Sequence, residues 1–328
     1  MPDGGSSDLL VPAVMPAGTG AEVGSGPRAR FPAGPWRLPS GPLSLDRPRI
    51  MGILNLTPDS FSDGGQLSGV EDALARARAM VAAGADLIDV GGESTRPGAR
   101  LVSEAEEAAR ILPFLEEAVG ALGVPLSVDT RKAGVARAAL DAGAAVVNDV
   151  SGLRHDPHLA PLVAERGAAL VLMHMRGDPG SMAERAIYGD LALEITRELQ
   201  ESLHHALAAG VREDAIVVDP GFGFAKTTDQ SLELLGRLGE LGALGCPVLV
   251  GPSRKSFLGK IVGVPPAQRG AATAAACVLA YIRGARIFRV HDVEPVAQAL
   301  AVAHALTERA EQSPGPQAAQ QARSESGR

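Results

Sequence analysis

The chain has 328 residues, of which 45% are hydrophobic, 21% charged and 3% aromatic. This composition can bury a full hydrophobic core, which excludes a disordered polymer and indicates a globular protein. The formal net charge is -7 and aromatic side chains are few, so nucleic acid is not expected as the main partner, although a small anionic substrate needs only a local basic cluster.

The cysteines indicate the compartment. Cys246 and Cys277 are the two cysteines of the chain, and they form neither a disulfide framework nor a metal cage, which is typical of a reducing environment. No apolar run reaches the roughly 18 residues of a membrane helix, and the opening residues lack the basic segment of a signal peptide. We therefore expect a cytoplasmic protein without a membrane partner.

Both ends of the chain differ in composition from the middle. Residues 1–47 hold 8 glycines and 8 prolines without a helical or strand period. A segment of this kind buries too little surface to offset its ordering entropy, so a disordered extension is predicted. Its glycines do not match a phosphate-binding loop, since no Lys-Ser or Lys-Thr pair follows them. Residues 312–328 are expected to form a disordered tail, which leaves one domain over residues 48–311.

One pattern recurs between these ends. A helical stretch rich in Ala and Leu ends at a glycine, and an apolar β-branched run follows at once. Glycine suits the left-handed position that ends a helix, so seven such glycines predict seven helix-to-strand passages. They are Gly84, Gly123, Gly143, Gly167, Gly210, Gly245 and Gly284. With the strand that opens the domain, the predicted strands are 49–57, 86–92, 125–130, 145–151, 169–175, 215–221, 247–253 and 286–292.

The predicted strands are almost continuously apolar, as strands covered on both faces must be. Eight βα units within about 260 residues favour an α/β fold of the (β/α)8 type, a TIM barrel. A doubly wound open sheet is the alternative.

Polar side chains follow nearly every predicted strand. In a barrel these strand ends meet at one rim, where the active site lies. A single Asp at a strand end can equally cap the next helix, but polar residues recur at the end of one predicted strand after another, which capping alone does not explain. The polar residues are Asn55, Thr57, Glu93, Arg96, Asp129, Asn148, Asp149, His174, Asp219, Ser253, Arg254, Lys255, Arg289 and His291.

The rim residues divide into two chemical groups. Asp129, Asn148 and Asp219 offer fixed acceptors and donors that suit a flat heterocycle with N–H groups. A second group supplies positive charge of the kind that neutralises phosphate; it comprises Lys255, Arg289, His291 and Arg96. Together they predict a nitrogen heterocycle that carries a phosphate ester.

Two predicted strand-to-helix loops are unusual. Residues 56–65 and 91–100 combine Gly and Pro with Ser, Thr and charged residues. Loops of this composition can act as mobile lids that complete a site when a ligand binds. Ordinary surface connections are the alternative interpretation.

Eight short motifs occur in order at the predicted strand ends: GILNLTPDSFSDGG, DVGGESTRPGA, SVDTRK, VVNDVSG, LMHMRGDP, DPGFGFAK, GPSRKSFLG and RVHDV. Together, over residues 49–309, they resemble the dihydropteroate synthase family of folate biosynthesis. The resemblance implies the same barrel and a transferase reaction that depends on Mg²⁺. In that reaction 6-hydroxymethyl-7,8-dihydropterin pyrophosphate condenses with 4-aminobenzoate to 7,8-dihydropteroate and pyrophosphate. It further implies a homodimer and competition by sulfonamides.

The resemblance also implies roles for individual residues. Those implied to bind the pterin are Asp129, Asn148, Val150, Met173, Asp219, Lys255 and Arg289. Those implied for the pyrophosphate are Asn55, Arg96, Arg289 and His291, and the implied Mg²⁺ ligand is Asn55. Those implied for 4-aminobenzoate are Phe61, Asp63, Thr95, Arg96, Pro97, Phe224, Lys255 and Ser256. The implied catalytic group comprises Asp129, Lys255, Arg289 and His291.

Two other functions stay open. One is a pterin-binding barrel of the methyltransferase kind, and the other is a non-catalytic paralogue that keeps the fold for binding. The STRPG and SRKS segments oppose the methyltransferase, which has no pyrophosphate to expel. Among the histidines, His174 is interpreted as hydrogen-bonded structure and not as a metal ligand, and a zinc site at His155 and His158 is disfavoured.

Overall fold

Eight parallel strands form the centre of the molecule. The computed structural model describes residues 34–57, 66–95 and 100–312. The strands are β3 (Arg49–Asn55), β4 (Leu87–Gly91), β5 (Leu126–Asp129), β6 (Val146–Asp149), β7 (Ala169–Met173), β8 (Ile216–Asp219), β9 (Leu249–Val250) and β10 (Ile287–Val290). Their order in the sheet is β8-β7-β6-β5-β4-β3-β10-β9. All eight predicted strands are confirmed.

The sheet closes into a barrel between its two outer strands. Val218 in β8 forms a parallel bridge with Val248, which lies just before β9. The amide of Val218 donates to the carbonyl of Pro247 at 3.0 Å. This junction confirms the barrel and excludes the open sheet.

Helices alternate with the strands and cover the outside of the barrel. They are α1 (Gln66–Ala82), α2 (Glu104–Ala118), α3 (Ala133–Asp141), α4 (Leu159–Arg166), α5 (Leu191–Ala208), α6 (Thr228–Gly236), α7 (Ser256–Val262), α8 (Gly270–Ile282) and α9 (Val293–Gln312). All seven junction glycines have a positive φ. At Gly167, for example, φ is 60° and the amide closes α4 on the carbonyls of Val163 and Ala164, the geometry that glycine adopts without steric cost.

The core has two layers. Apolar side chains from seven of the eight strands form an interior cluster, among them Met51, Val171 and Val217. A larger layer lies between the strands and the helices, where Ile195 and Leu199 of α5 are buried. None of the helices in the three described ranges is long and apolar enough to cross a membrane.

A hairpin before β3 corrects the predicted N-terminal boundary. Strands β1 (Trp36–Leu38) and β2 (Gly41–Leu43) pair antiparallel. Trp36 is fully buried among the interior side chains of the barrel, and its Nε1 donates to the carbonyl of Ala215 at 2.9 Å. Because Ala215 directly precedes β8, the hairpin closes the N-terminal end of the barrel as a plug.

The prediction that residues 1–47 form a disordered extension is therefore wrong for residues 34–47. Proline and glycine serve there to turn a short hairpin, and Gly41 has a φ of 127°. Three buried apolar side chains, Trp36, Leu38 and Leu45, anchor the segment to the barrel. Residues 1–33 and 313–328, also predicted to be disordered, lie outside the described residues.

Candidate active site

A cleft opens at the C-terminal end of the barrel, where the strands deliver their polar residues. It measures about 410 Å³, including space open to solvent, which is within the usual range of small-molecule sites. Nine of its lining residues were predicted for the site: Thr95, Asp129, Asn148, Val150, Met173, Asp219, Phe224, Lys255 and Arg289. Gly221, Phe222 and Gly251 complete the lining.

An ion-pair network crosses one side of the cleft. Arg289 of β10 donates from Nε to Asp89 Oδ2 at 2.5 Å and from Nη2 to Asp129 Oδ2 at 2.6 Å. Asn148 of β6 donates from Nδ2 to the same oxygen of Asp89 at 3.0 Å. Burial opposes the charge of Arg289, but the two carboxylates outweigh it and hold the pKa of Arg289 above its usual range. Four strands are thus joined at one rim.

The two cleft carboxylates predicted from strand ends have raised pKa values. Burial raises the pKa of Asp129 to about 7, although the charge of Arg289 opposes the shift. Burial likewise raises the pKa of Asp219 to about 6, against a hydrogen bond from the amide of Gly221 and the charges of Lys255 and Arg289. Each carboxyl group therefore changes charge close to neutral pH, where a ligand that donates N–H groups would favour the ionised form.

These raised pKa values predict a pH dependence of folding stability. A carboxyl group whose pKa is raised by folding binds protons more tightly in the folded state, so its stabilising effect is present at acidic pH and is lost as the pH rises through about 6 to 7. Relative to an Asp129→Asn, Asp219→Asn double variant, the wild type should lose stability between pH 5 and pH 8. Each carboxyl group should contribute on the order of 1 kcal/mol per pH unit until the pH passes its folded pKa.

Urea denaturation across this pH range measures the difference between the two proteins. Asp72→Asn, an exposed change on α1, serves as the control and should keep the wild-type profile. A double variant whose stability follows the wild type from pH 5 to pH 8 would contradict titration of these carboxyl groups near neutral pH.

The other side of the cleft is apolar. Val150, Met173 and Phe224 belong to one buried cluster at the C-terminal end of the barrel. The Lys255 ammonium nitrogen lies 3.9 Å from the centroid of the Phe224 ring, a distance at which the ring face attracts the cation. A positive charge is thereby placed at the boundary between the polar and apolar walls.

The segment before α7 holds Lys255 in place. Its neighbour Arg254 has a φ of 57°, which is rare for a residue with a side chain. Arg254 forms an ion pair with Asp292, and Arg269 donates to the carbonyls of Arg254 at 2.9 Å and Lys255 at 3.2 Å. Packing and hydrogen bonds therefore fix the backbone from which Lys255 extends.

Three predicted residues are described outside the cleft lining. Asn55 ends β3 and is half-buried. His291 follows β10, and its Nδ1 lies 3.0 Å from the hydroxyl of Ser253. Ser256 is exposed at the start of α7. The remaining four, Phe61, Asp63, Arg96 and Pro97, lie outside the described residues, as do residues 58–65 of the first predicted lid and 96–99 of the second.

The stem of the second predicted lid is described on both sides. Glu93 Oε1 accepts from the amide of Val102 at 3.0 Å. Lys132 Nζ bridges the same two residues, at 3.0 Å from Glu93 Oε2 and 2.6 Å from the carbonyl of Val102. This clamp fixes the segment that carries Thr95 to the cleft.

Two residues of the site escaped the sequence prediction. Asp89 lies inside β4 and not at its end, so a rule based on strand ends passes over it. Its full burial is the signal that identifies it, because a buried charge in a strand requires a partner. Lys226 lies two residues after Phe224 in the DPGFGFAK motif, which does not reveal that its side chain is buried; burial lowers its pKa to about 7.

Two of the polar strand-end residues serve local structure. Asp149 accepts hydrogen bonds from the amides of Ser151 and Leu153 and shapes the turn after β6. His174 is fully buried between Glu198 and Lys226. Across the described part of the chain, no group of three or more His, Cys, Asp or Glu side chains is arranged to hold a metal ion.

Comparison with known proteins agrees with this geometry. Residues 51–291 match the family of pterin binding enzymes. Dihydropteroate synthase of Synechocystis is 48% identical over 276 residues, covering 83% of this chain and 96% of the relative. The structure of Yersinia pestis dihydropteroate synthase with a sulfonamide drug has a TM-score of 0.79 at 43% identity, covering 84% of this chain and 99% of that one.

A third relative was solved with a ligand of the predicted class. Dihydropteroate synthase from Xanthomonas albilineans, in complex with 7,8-dihydropteroate, has a TM-score of 0.74 at 44% identity and covers 81% of this chain and 96% of its own. The family match spans all eight barrel strands from Met51 onward, and the relatives are matched over nearly their whole length. The chain therefore belongs to the pterin binding enzyme family and, within it, to the dihydropteroate synthases.

Proposed function

We propose that the protein condenses 6-hydroxymethyl-7,8-dihydropterin pyrophosphate with 4-aminobenzoate, giving 7,8-dihydropteroate and pyrophosphate. The observation that carries this proposal is a single cleft that joins the buried polar residues Asp129, Asn148 and Asp219 to the cations Lys255 and Arg289. A flat ring with N–H donors and an anionic leaving group are the two parts of this substrate. The relatives solved with 7,8-dihydropteroate and with a sulfonamide drug support the assignment.

The pterin part is proposed to bind at the carboxylate side. Carboxylates accept two hydrogen bonds from neighbouring N–H groups, and an amide side chain both donates and accepts. Asp129, Asn148 and Asp219 provide this set. Val150 and Met173 supply apolar surface for the ring faces.

The reaction is a substitution at the methylene carbon of the pterin. The amine nitrogen of 4-aminobenzoate forms a bond to this carbon while the bond from the carbon to the pyrophosphate oxygen breaks. Pyrophosphate leaves with the bonding electrons, and the nitrogen gives up a proton to solvent. Since the aromatic amine is already uncharged near neutral pH, the site needs charge stabilisation for the leaving group more than a strong base.

Cationic side chains are proposed to supply that stabilisation. Arg289 bonds Asp89 and Asp129 through Nε and Nη2, and its planar fork carries further N–H groups for an anion. Lys255 lies over Phe224, at the wall proposed for 4-aminobenzoate. His291 and Arg96 are proposed to complete the pyrophosphate site.

Magnesium is proposed to bind with the pyrophosphate. Mg²⁺ takes oxygen ligands, often one or two from the protein with the rest from phosphate and water. Asn55 offers such an oxygen. Its Oδ1 and Asp129 Oδ2 both lie beside Gly91, the last residue of β4, at 3.6 Å and 3.7 Å from the position that a Cβ would occupy there. The amide of Asn55 therefore faces the rim. This donor set fits a metal shared with the substrate. When bound, the ion would neutralise charge on the leaving group.

The direct test is transfer of labelled 4-aminobenzoate into dihydropteroate by the purified protein, with and without magnesium. We expect product that requires magnesium and is suppressed by a sulfonamide competing with 4-aminobenzoate. A folded protein that binds a pterin but forms no product would contradict the proposal and favour a methyltransferase-type barrel or a non-catalytic paralogue.

Exposed apolar side chains support a proposal about the oligomeric state. Helices α8 and α9 pack together and expose the large apolar side chains Leu279, Ile282, Val302 and Leu306, which supports a homodimer through these helices. A monomer in sedimentation equilibrium at micromolar concentration would contradict it.

Cys246 and Cys277 are buried thiols without a disulfide, which supports a reducing compartment such as the cytoplasm.

A further inference from the structure

The loop after β8 has a backbone that must be held in place. We call residues 220–226 the Phe224 loop, because it carries the ring under Lys255. Gly221, Gly223 and Ala225 have positive φ values of 68°, 75° and 49°. Ala225 has a side chain, so this conformation is costly and persists only where surrounding contacts fix it.

Side chains hold two successive carbonyls of this loop. Lys226 Nζ donates to the carbonyl of Phe224 at 3.0 Å. The hydroxyl of Tyr188 donates to the carbonyl of Ala225, also at 3.0 Å. Gly221 lies so close to the carbonyl of His174 that a Cβ there would overlap it. The loop is therefore fitted against the end of β7.

Lys226 is in turn held by a buried histidine. Its Nζ lies 2.8 Å from Nδ1 of His174, and Nε2 of His174 lies 3.1 Å from Oε2 of Glu198 on α5. His174 is fully buried, which lowers its pKa to about 3 and keeps the ring neutral. Burial acts against the charge of Glu198, but hydrogen bonds from His174 and Arg176 lower its pKa to about 2.

These charge states determine the tautomer of His174. The carboxylate of Glu198 can only accept hydrogen bonds, so Nε2 carries the proton and donates to it. Nδ1 then has a lone pair and accepts from Lys226. Both the charged and the neutral amine of Lys226 carry N–H groups, so the direction of the chain is the same in either state.

We propose that Lys226, oriented by His174 and Glu198, is a positioning residue for the 4-aminobenzoate side of the site. Its hydrogen bond fixes the carbonyl of Phe224 and with it the ring beneath Lys255. Lys226 is directed toward His174 and acts on the site through Phe224. This role rests on the proposed synthase function and assigns it a further residue.

The test compares the two substrates in steady-state kinetics. Lys226→Met keeps the length of the side chain and removes its N–H groups. Since one of the two hydrogen bonds of Lys226 holds the carbonyl of Phe224, we expect the KM for 4-aminobenzoate to rise by about fivefold to tenfold. The KM for the pterin pyrophosphate should change less than about threefold on the same scale. Lys260→Met, an exposed change on α7, removes the same charge and should leave both KM values at the wild-type level.

Two further variants distinguish loss of the hydrogen bond from misfolding. His174→Asn keeps an acceptor near the place of Nδ1, whereas His174→Leu removes it. We expect His174→Leu to reproduce the KM change of Lys226→Met and His174→Asn to restore most of the wild-type KM for 4-aminobenzoate. Circular dichroism at the assay temperature verifies that each variant is folded.

A spectroscopic measurement examines the chain without turnover. In protein labelled with ¹⁵N-histidine, His174 should give the signals of a neutral ring protonated at Nε2, and Lys226→Met should shift the Nδ1 signal. Unchanged KM values in a folded Lys226→Met variant, an equal change for both substrates, or a ring protonated at Nδ1 would overturn the role. If the wild type itself forms no product, the proposed function fails first.

Discussion

Arg289→Ala should lower kcat/KM by about 10²-fold to 10³-fold or more, the usual effect of removing a preorganised donor from a developing negative charge. Arg289 is the group that joins Asp89 and Asp129 across the cleft. Its loss removes a cation from the proposed pyrophosphate site and leaves Asp89 and Asp129 without their ion pair. Steady-state kinetics with both substrates measure the effect.

The same variant should lose stability in a way that depends on pH. Breaking a buried ion pair typically costs about 3–5 kcal/mol, since it leaves a charge uncompensated. Asp129 can take up a proton instead, because burial already raises its pKa to about 7. The deficit relative to the wild type should therefore be smaller near pH 5 than near pH 8, and part of it should remain at both pH values because the fully buried Asp89 loses its ion pair in either case. Denaturant unfolding at the two pH values measures it.

Arg286→Ala is the matched control. Arg286 directly precedes the same strand, near the other end of the barrel, where its guanidinium carbon lies 5.0 Å from the centroid of the Tyr281 ring. This variant should keep the wild-type kcat/KM. Full activity of Arg289→Ala, or an equal loss in both variants, would remove Arg289 from the proposed site.

Trp36→Ala should destabilise the fold by about 3–5 kcal/mol, the usual cost of deleting a large buried aromatic side chain. Trp36 fills the N-terminal end of the barrel and donates to the carbonyl of Ala215, so both packing and a hydrogen bond are lost. Far from the cleft, the change should leave both KM values unaltered at temperatures below the unfolding midpoint.

Truncation and a neighbouring variant separate the plug from what precedes it. Removal of residues 1–33 should leave stability and turnover unchanged, whereas removal of residues 1–47 should destabilise the barrel. Arg37→Ala, exposed on the same strand, should keep the wild-type unfolding midpoint. Trp36 is the single tryptophan of the chain, so its fluorescence reports directly on release of the plug. Equal stability of the two truncations would contradict a structural role for the hairpin.

The barrel was predictable because its signal is repeated. Each helix that ends at a glycine before an apolar run is weak evidence alone, but seven in succession fix the number and order of the strands. The hairpin offered no such repetition. Three apolar residues among many prolines and glycines give too short a pattern, and the burial of Trp36 depends on a barrel end formed by distant parts of the chain.

The site was predictable where the fold itself determines position. Asp129 and Asp219 end parallel strands, so the topology alone places them on one rim. Asp89 could not be found this way, since its contact with Arg289 spans 200 positions in sequence. Lys226 follows β8 and His174 follows β7, and the two side chains come into contact only because these strands are neighbours. Such pairs follow from three-dimensional packing and not from any local pattern.

The position of the plug indicates where a fusion partner or a solid support can be attached to the protein. It seals the barrel at the end away from the cleft, where the exposed Gly34 leads into the hairpin. A linker or fusion partner joined just before this residue would project away from the substrate entrance. Immobilisation on a surface through this end should therefore leave the cleft accessible to small molecules in solution, which makes it the suitable anchor for ligand screening.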